Sequence, residues 1–194
     1  DFMDILEAAL KNKPEIKITD QSFINWGLDV IELEAKAVSN LTKSINSEFV
    51  KTCKLILACT GKVVVTGVGK SGHIGKKIAA TLASTGTPSF FVHPSEAAHG
   101  DLGMISKHDV VISLSNSGKT SELVDIIPAV KRLGARLISL TGDPQSTVAK
   151  YSDCHLDVSI EKEACSLGLA PTSSTTAALA MGDAIAISLL NAKG

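Results

Sequence analysis

Apolar residues recur at helical spacing across residues 23–59: Ile24, Leu28, Ile31, Leu33, Ala35, Val38, Leu41 and Ile45, then Phe49, Cys53, Ile56 and Leu57. That rhythm predicts two helices with a break at 44–47. Ahead of them, residues 1–20 read as a peripheral segment holding a short amphipathic helix that ends near Pro14, and Asp20 or Ser22 is placed to cap the helix that follows. Beyond residue 59 the pattern changes. KVVVTGVG, PSFFVHP, DVVISLSNSG, ARLISLTG and CHLDVSI are five short β-rich runs. The first feeds the helical stretch SGHIGKKIAATLAST, the third a helix over 120–133, and the fourth a short helix near PQSTVAKY. The second leads into SEAAHGDLGMISKH, which reads as irregular. The last leads through EKEACSLGLAPTSS into a long helix over 174–190. Strands alternating with helices predict a parallel sheet covered on both faces. Right-handed crossovers make it a doubly wound α/β fold, a three-layer αβα sandwich around five parallel strands. No repeat or low-complexity linker divides the chain, so residues 1–194 read as one domain.

Composition narrows the function. Apolar residues make up 44% of the 194, as a sheet buried on both faces requires. A formal net charge of -1 gives no basic excess, and 4% aromatics leave few stacking platforms, so nucleic acid is not an expected partner. The most apolar segment, AALAMGDAIAISLL, is too short to span a bilayer and carries Asp183. Cys53, Cys59, Cys154 and Cys165 form no CxxC pair and no zinc-type cluster, and read as reduced, mostly buried thiols. The acidic N-terminus lacks a signal-peptide core. The expectation is a soluble cytoplasmic protein that is not membrane-bound.

In an open α/β sheet, ligands bind beyond the carboxyl ends of the strands, and four such places carry chemistry. GVGKSGHIG, residues 67–75, sends a glycine-rich turn into a helix whose N–H groups suit an anion. Gly69, Lys70 and Ser71 are its candidates. GxGxxG is met by Gly67, Gly69 and Gly72, but no acidic residue closes the second strand, and GxxxxGK[ST] is absent, so neither a dinucleotide site nor a nucleotide P-loop is indicated. A tight βα turn without ligand is the alternative reading of the glycines. SNSGKTSE, residues 115–122, puts Ser115, Asn116, Ser117, Thr120 and Ser121 before a helix. Capping needs one such side chain, and five make a neutral cradle suited to a phosphate monoester. Glu122 follows in the first turn, where the helix dipole favours a carboxylate anyway. LAPTSSTTAAL repeats the device, with Ser173, Ser174 and Thr175 at a helix start and Glu163 upstream in EKEAC. HPSEAAHGDLG offers His93, Glu96, His99 and Asp101, but its spacing matches no compact metal motif, and no metal is expected. These cradles suggest a phosphorylated, polyhydroxylated small molecule.

GVGKSGHIGKKIAATLASTGTPSFFVHPSEAAHGDLGMI, SNSGKTSE and EACSLGLAPTSSTTAALAMGDAIAISLL closely resemble the sugar isomerase (SIS) domain of bacterial D-arabinose-5-phosphate isomerases. The resemblance runs from about residue 28 to the C-terminus. It implies a five-stranded parallel sheet between helices, and an aldose–ketose isomerisation of D-arabinose 5-phosphate to D-ribulose 5-phosphate. It further implies no cofactor and self-association to a homodimer or homotetramer. Carried over by motif, the catalytic set is Lys70, Glu122 and Glu163. A further family histidine, in SHPGG, and a pair of CBS domains belong to stretches after residue 194, so the resemblance is to the sugar isomerase domain alone. In the expected mechanism one carboxylate, Glu163 or Glu122, shuttles a proton between C1 and C2. Lys70 stabilises the enediolate or polarises its oxygens. Ser115, Ser117, Thr120 and Ser173–Thr175 hold the phosphate, and His99 assists ring opening. Two other readings stand beside this one: an isomerase for another sugar phosphate, and a non-catalytic sugar-phosphate sensor that would need neither glutamate.

Overall fold

A computed structural model describes residues 2–11 and 17–194, and the helix end expected near Pro14 lies outside them. Helix α1 (Phe2–Lys11) precedes α2 (Asp20–Asn40). The cap of α2 is Thr19, not Asp20 or Ser22. The Ser22 N–H donates to the Thr19 hydroxyl at 3.3 Å, and the Thr19 N–H donates to Ser22 Oγ at 3.2 Å. This reciprocal box satisfies two otherwise orphaned donors and leaves Asp20 in the first turn, where the helix dipole favours it. A 3-10 turn (Leu41–Ser44) ends α2, and Asn46 caps α3 (Ser47–Leu57), so the expected break falls where the sequence placed it.

The sheet consists of β1 (Val63–Gly67), β2 (Ser89–Phe91), β3 (Val110–Leu114), β4 (Arg136–Thr141) and β5 (Cys154–Asp157), all parallel, in the order β2-β1-β3-β4-β5. The apolar runs place every residue of β1 and β3 in the interior, as central parallel strands demand. On one face Val63, Val65, Ile112 and Ile138 pack with α3, α4 (Gly69–Ser84) and α8 (Ser173–Lys193) through Ile56, Ile78, Met181 and Ile185. On the other, Val64, Val111 and Leu137 meet α5 (Pro94–Ala98), α6 (Ser121–Leu133) and α7 (Thr147–Tyr151) through Ala97, Ile127, Val130 and Val148. This is the expected three-layer sandwich.

One expectation needs correction. Residues 93–109 are not wholly irregular: His93 caps α5, Pro94 starts it, and a 3-10 turn spans Asp101–Met104. A five-residue helix is too short to display a period. The apolar side of α2 is also left largely uncovered by the described residues. Phe23, Ile24, Trp26, Leu28 and Ile31 stand in the open, Ile31 at 68% exposure. Helix α8 is apolar and long enough to cross a membrane by length and composition, but half of its apolar window is buried in the fold against α4 and α2.

The chain leaves β1 through α4 to β2 on one side, then returns to β3 on the other. The strand order therefore switches between β1 and β3, and their carboxyl ends open a crevice between them.

Candidate active site at the strand-order switch

A cleft of about 390 Å³ occupies that crevice. Its floor is Val68 and Ser71 after β1, with Leu114, Ser115, Asn116, Ser117 and Thr120 after β3. Glu163, the loop 168–171 and Ser174 close the other side. A larger recess of about 630 Å³ lies at the opposite strand ends, by Lys51, Lys107, Arg136 and Asp153. Asp153 there is already paired with Lys131 and Arg136, at 3.0 and 3.2 Å. The smaller cleft is at the end of the sheet where open α/β folds bind ligands, and it holds the chemistry.

The turn from β1 into α4 is tight for steric reasons. A Cβ on Gly72 would sit 2.8 Å from the Gly67 carbonyl oxygen, and Gly69 adopts φ +57°. The turn delivers Ser71 to the cleft. Lys70, one residue earlier, is exposed in the first turn of α4 and does not line the cleft. The loop after β3 is folded by its own polar groups. The Gly118 N–H donates to Ser115 Oγ at 3.0 Å, the Ser115 and Thr120 hydroxyls lie 2.9 Å apart, and the Lys119 N–H donates to Ser117 Oγ at 3.2 Å.

Glu163 is the charged group of the cleft. Its Oε2 accepts from the Thr172 N–H at 2.8 Å, the Thr172 hydroxyl at 3.0 Å and the Ser174 N–H at 3.2 Å, while Oε1 accepts from the Ser174 hydroxyl. A carboxylate thus takes up the N-terminal N–H groups of α8, and no α8 side chain caps that helix. Partial burial pushes the Glu163 carboxyl up, but the donors of Ser174 and Thr172 outweigh it and hold the group below the usual carboxylate range.

The other expected residues are dispersed. Glu122 is exposed on α6. Its own N–H and the Ser121 hydroxyl, at 2.8 Å, draw its carboxyl below the usual range, and His93 adds a smaller electrostatic contribution. His99 is exposed at the C-cap of α5. Ser173 is fully buried with an unpartnered hydroxyl, and the Thr175 hydroxyl bonds back to the Thr172 carbonyl at 2.8 Å. Among the described residues no group of three or more His, Cys, Asp or Glu gathers to hold a metal. Of the four free thiols only Cys154 is buried. Cys165 sits in the loop beside the cleft, where the N–H groups of Ala170, Leu169 and Leu167 draw its thiol down. Thr172 belongs to the hydroxyl run before α8, but its tie to Glu163 is not legible in the sequence. Its partner lies nine residues upstream, at no helical or strand spacing.

The doubly wound fold thus places a hydroxyl-lined cleft at its switch point, the arrangement of an α/β ligand-binding domain. The SIS domain model matches residues 56–188, and the chain belongs to that family. Arabinose 5-phosphate isomerase KdsD of Pseudomonas aeruginosa is 61% identical over 172 residues, 89% of this chain and 53% of that protein. KdsD of Escherichia coli K12 is 58% identical over 172 residues, 89% of this chain and 52% of that protein. The chain therefore spans about half the length of the curated relatives it matches. Among solved structures, the c3406 protein of E. coli CFT073 in complex with arabinose 5-phosphate superposes with a TM-score of 0.87 at 46% identity, covering 91% of this chain and 94% of that one.

Proposed function

We propose that this chain is one isomerase domain that interconverts D-arabinose 5-phosphate and D-ribulose 5-phosphate through an enediol, without a cofactor. The observation that carries the reading is an ionised carboxylate, Glu163, set across one cleft from the donor-rich loop 115–120. The curated isomerases at about 60% identity and the arabinose 5-phosphate complex on the same fold support the choice of sugar.

The chemistry needs a proton moved between C1 and C2 and a group that stabilises the enediolate. Glu163 faces the cleft and is the shuttle base in preference to Glu122, which stands outside it. Ser115, Ser117 and Thr120 receive the phosphate, so that binding far from the reacting carbons fixes their position. Lys70, one residue before the cleft-lining Ser71, keeps in this reading the role of supplying positive charge to the enediolate oxygen. His99 serves ring opening. The uncovered apolar side of α2 supports self-association to a dimer or tetramer, and the protein is read as soluble and cytoplasmic.

Glu163→Gln in the full-length protein is the test. Loss of the base lowers turnover of D-arabinose 5-phosphate by about a hundredfold or more. Turnover within about threefold of the parent removes Glu163 from that role.

A further inference from the structure

Thr172 does not line the cleft, yet it is tied to Glu163 at both ends. Its hydroxyl oxygen accepts from the Ala164 N–H at 2.8 Å and donates to Glu163 Oε2 at 3.0 Å, while its own N–H donates to the same oxygen at 2.8 Å. One side chain thus fixes the backbone just after Glu163 and the carboxylate itself. Thr172 stands immediately before α8 at φ -134° and ψ -78°, and its hydroxyl does not cap the helix. The ordinary capping duty has passed to Glu163, and the hydroxyl is committed to holding it.

The donors are divided unequally between the two carboxylate oxygens. Oε2 takes three, from Thr172 N–H, Thr172 hydroxyl and Ser174 N–H, which fills the acceptor directions of one oxygen. Oε1 takes a single one, the hydroxyl of Ser174, a residue that lines the cleft. A base needs a free lone pair aimed at the proton it removes. We propose that Thr172 is a positioning residue that saturates Oε2, so that the proton is taken up and returned by Oε1 beside Ser174. The proposal rests on the reading of Glu163 as the shuttle base.

The variant is Thr172→Val, which keeps the shape and deletes the hydroxyl. Thr172→Ala runs beside it, so that an ill-fitting valine still leaves a readable protein. Two quantities are read on the full-length protein: the Glu163 carboxyl titration by carbon-13 NMR, and the pH profile of kcat/KM for D-arabinose 5-phosphate. Losing a donor to the ionised form raises the Glu163 pKa, so its titration and the acid limb of the profile move together to higher pH. A misplaced base lowers kcat by about tenfold or more with KM little changed. Thr172→Ser, which keeps the hydroxyl, restores both. An unmoved Glu163 titration overturns the clamp itself. A titration that moves while kcat and the acid limb stay fixed overturns the catalytic role and shows that another group is the base. Glu163→Gln fails separately, through unchanged turnover.

Discussion

Gly118 is the position where the shape of the proposed phosphate loop is most exposed to test. It adopts φ +61°, a left-handed conformation that costs a side-chain-bearing residue about 1–2 kcal/mol. A Cβ there would also overlap Oγ and Cβ of Ser146, which is fully buried, and would press on Thr141 Cγ2 at 3.3 Å. Overpacking of this kind costs about 1–3 kcal/mol. Gly118→Ala is therefore expected to destabilise by about 2–5 kcal/mol, the sum of the two terms. The terms separate because Ser146→Gly removes both overlapping atoms. Ser146 caps α7 through a weak bond from the Ala149 N–H at 3.4 Å, and replacing a cap by glycine costs only about a few tenths of a kcal/mol. The double variant keeps the conformational term and loses the clash, so it is less destabilised than Gly118→Ala alone. Urea unfolding followed by circular dichroism on parent, singles and double gives the coupling energy, expected at about 1–3 kcal/mol. A coupling below about 0.5 kcal/mol, the level of independent sites, refutes the packing argument. Gly118→Ala should also raise KM for D-arabinose 5-phosphate. The Gly118 N–H bonds Ser115 Oγ, and its carbonyl accepts from the Val148 N–H at 3.1 Å, so a displaced Gly118 moves the cradle.

Asp109, 6% exposed, accepts from the Lys62 N–H at 2.7 Å, and from the Ser106 N–H and hydroxyl at 2.7 and 2.9 Å. Burial pushes its carboxyl up, but these donors outweigh it and hold the group below the usual range. A depressed folded pKa contributes stability above the unfolded value of about 3.9 and loses it as pH falls through the folded one. Asp109→Asn should cost about 1.5–3 kcal/mol at pH 7, and the gap in thermal midpoint from the parent should close below about pH 4. A gap that does not change with pH counts against the assignment. On α2, Ile24→Glu with Ile31→Glu should shift sedimentation toward smaller species while helicity is kept. An unchanged distribution removes that side of α2 from the interface.

Much of this architecture was legible because buried parallel strands leave a nearly continuous apolar signature. VVVTG and VVISL each carry a single small hydroxyl among apolar side chains, and the structure buries every residue of both. The hydroxyl clusters of residues 115–121 and 172–176 were legible for a similar reason: capping a helix uses one such side chain, and more than one calls for another partner. Periodicity was less informative about cover. It located the apolar side of α2, but the described residues leave Ile24 and Ile31 exposed, and spacing reports only that such a side exists. Nor does a motif fix direction. Successive helical residues point about 100° apart, so Ser71 lines the cleft while Lys70 beside it does not; Thr120, the N-cap of α6, lines it while Glu122 in the first turn stands outside.

The two hydroxyl clusters looked equivalent as phosphate cradles, and the structure separates them. At the start of α8 the donors of Thr172 and Ser174 already serve an anion, the Glu163 carboxylate, and the Thr175 hydroxyl is spent on a backbone carbonyl. A dianion brought to the same donors would meet a fixed like charge. The loop after β3 carries no carboxylate among the residues that line the cleft, and the charge of its Lys119 is already met by Asp143 at 3.1 Å. Under the proposed function the phosphate therefore goes to residues 115–120, away from the Glu163 carboxylate, and the α8 end is left to the base. On that reading the reacting carbons lie between the phosphate anchor and Glu163, which line one and the same cleft.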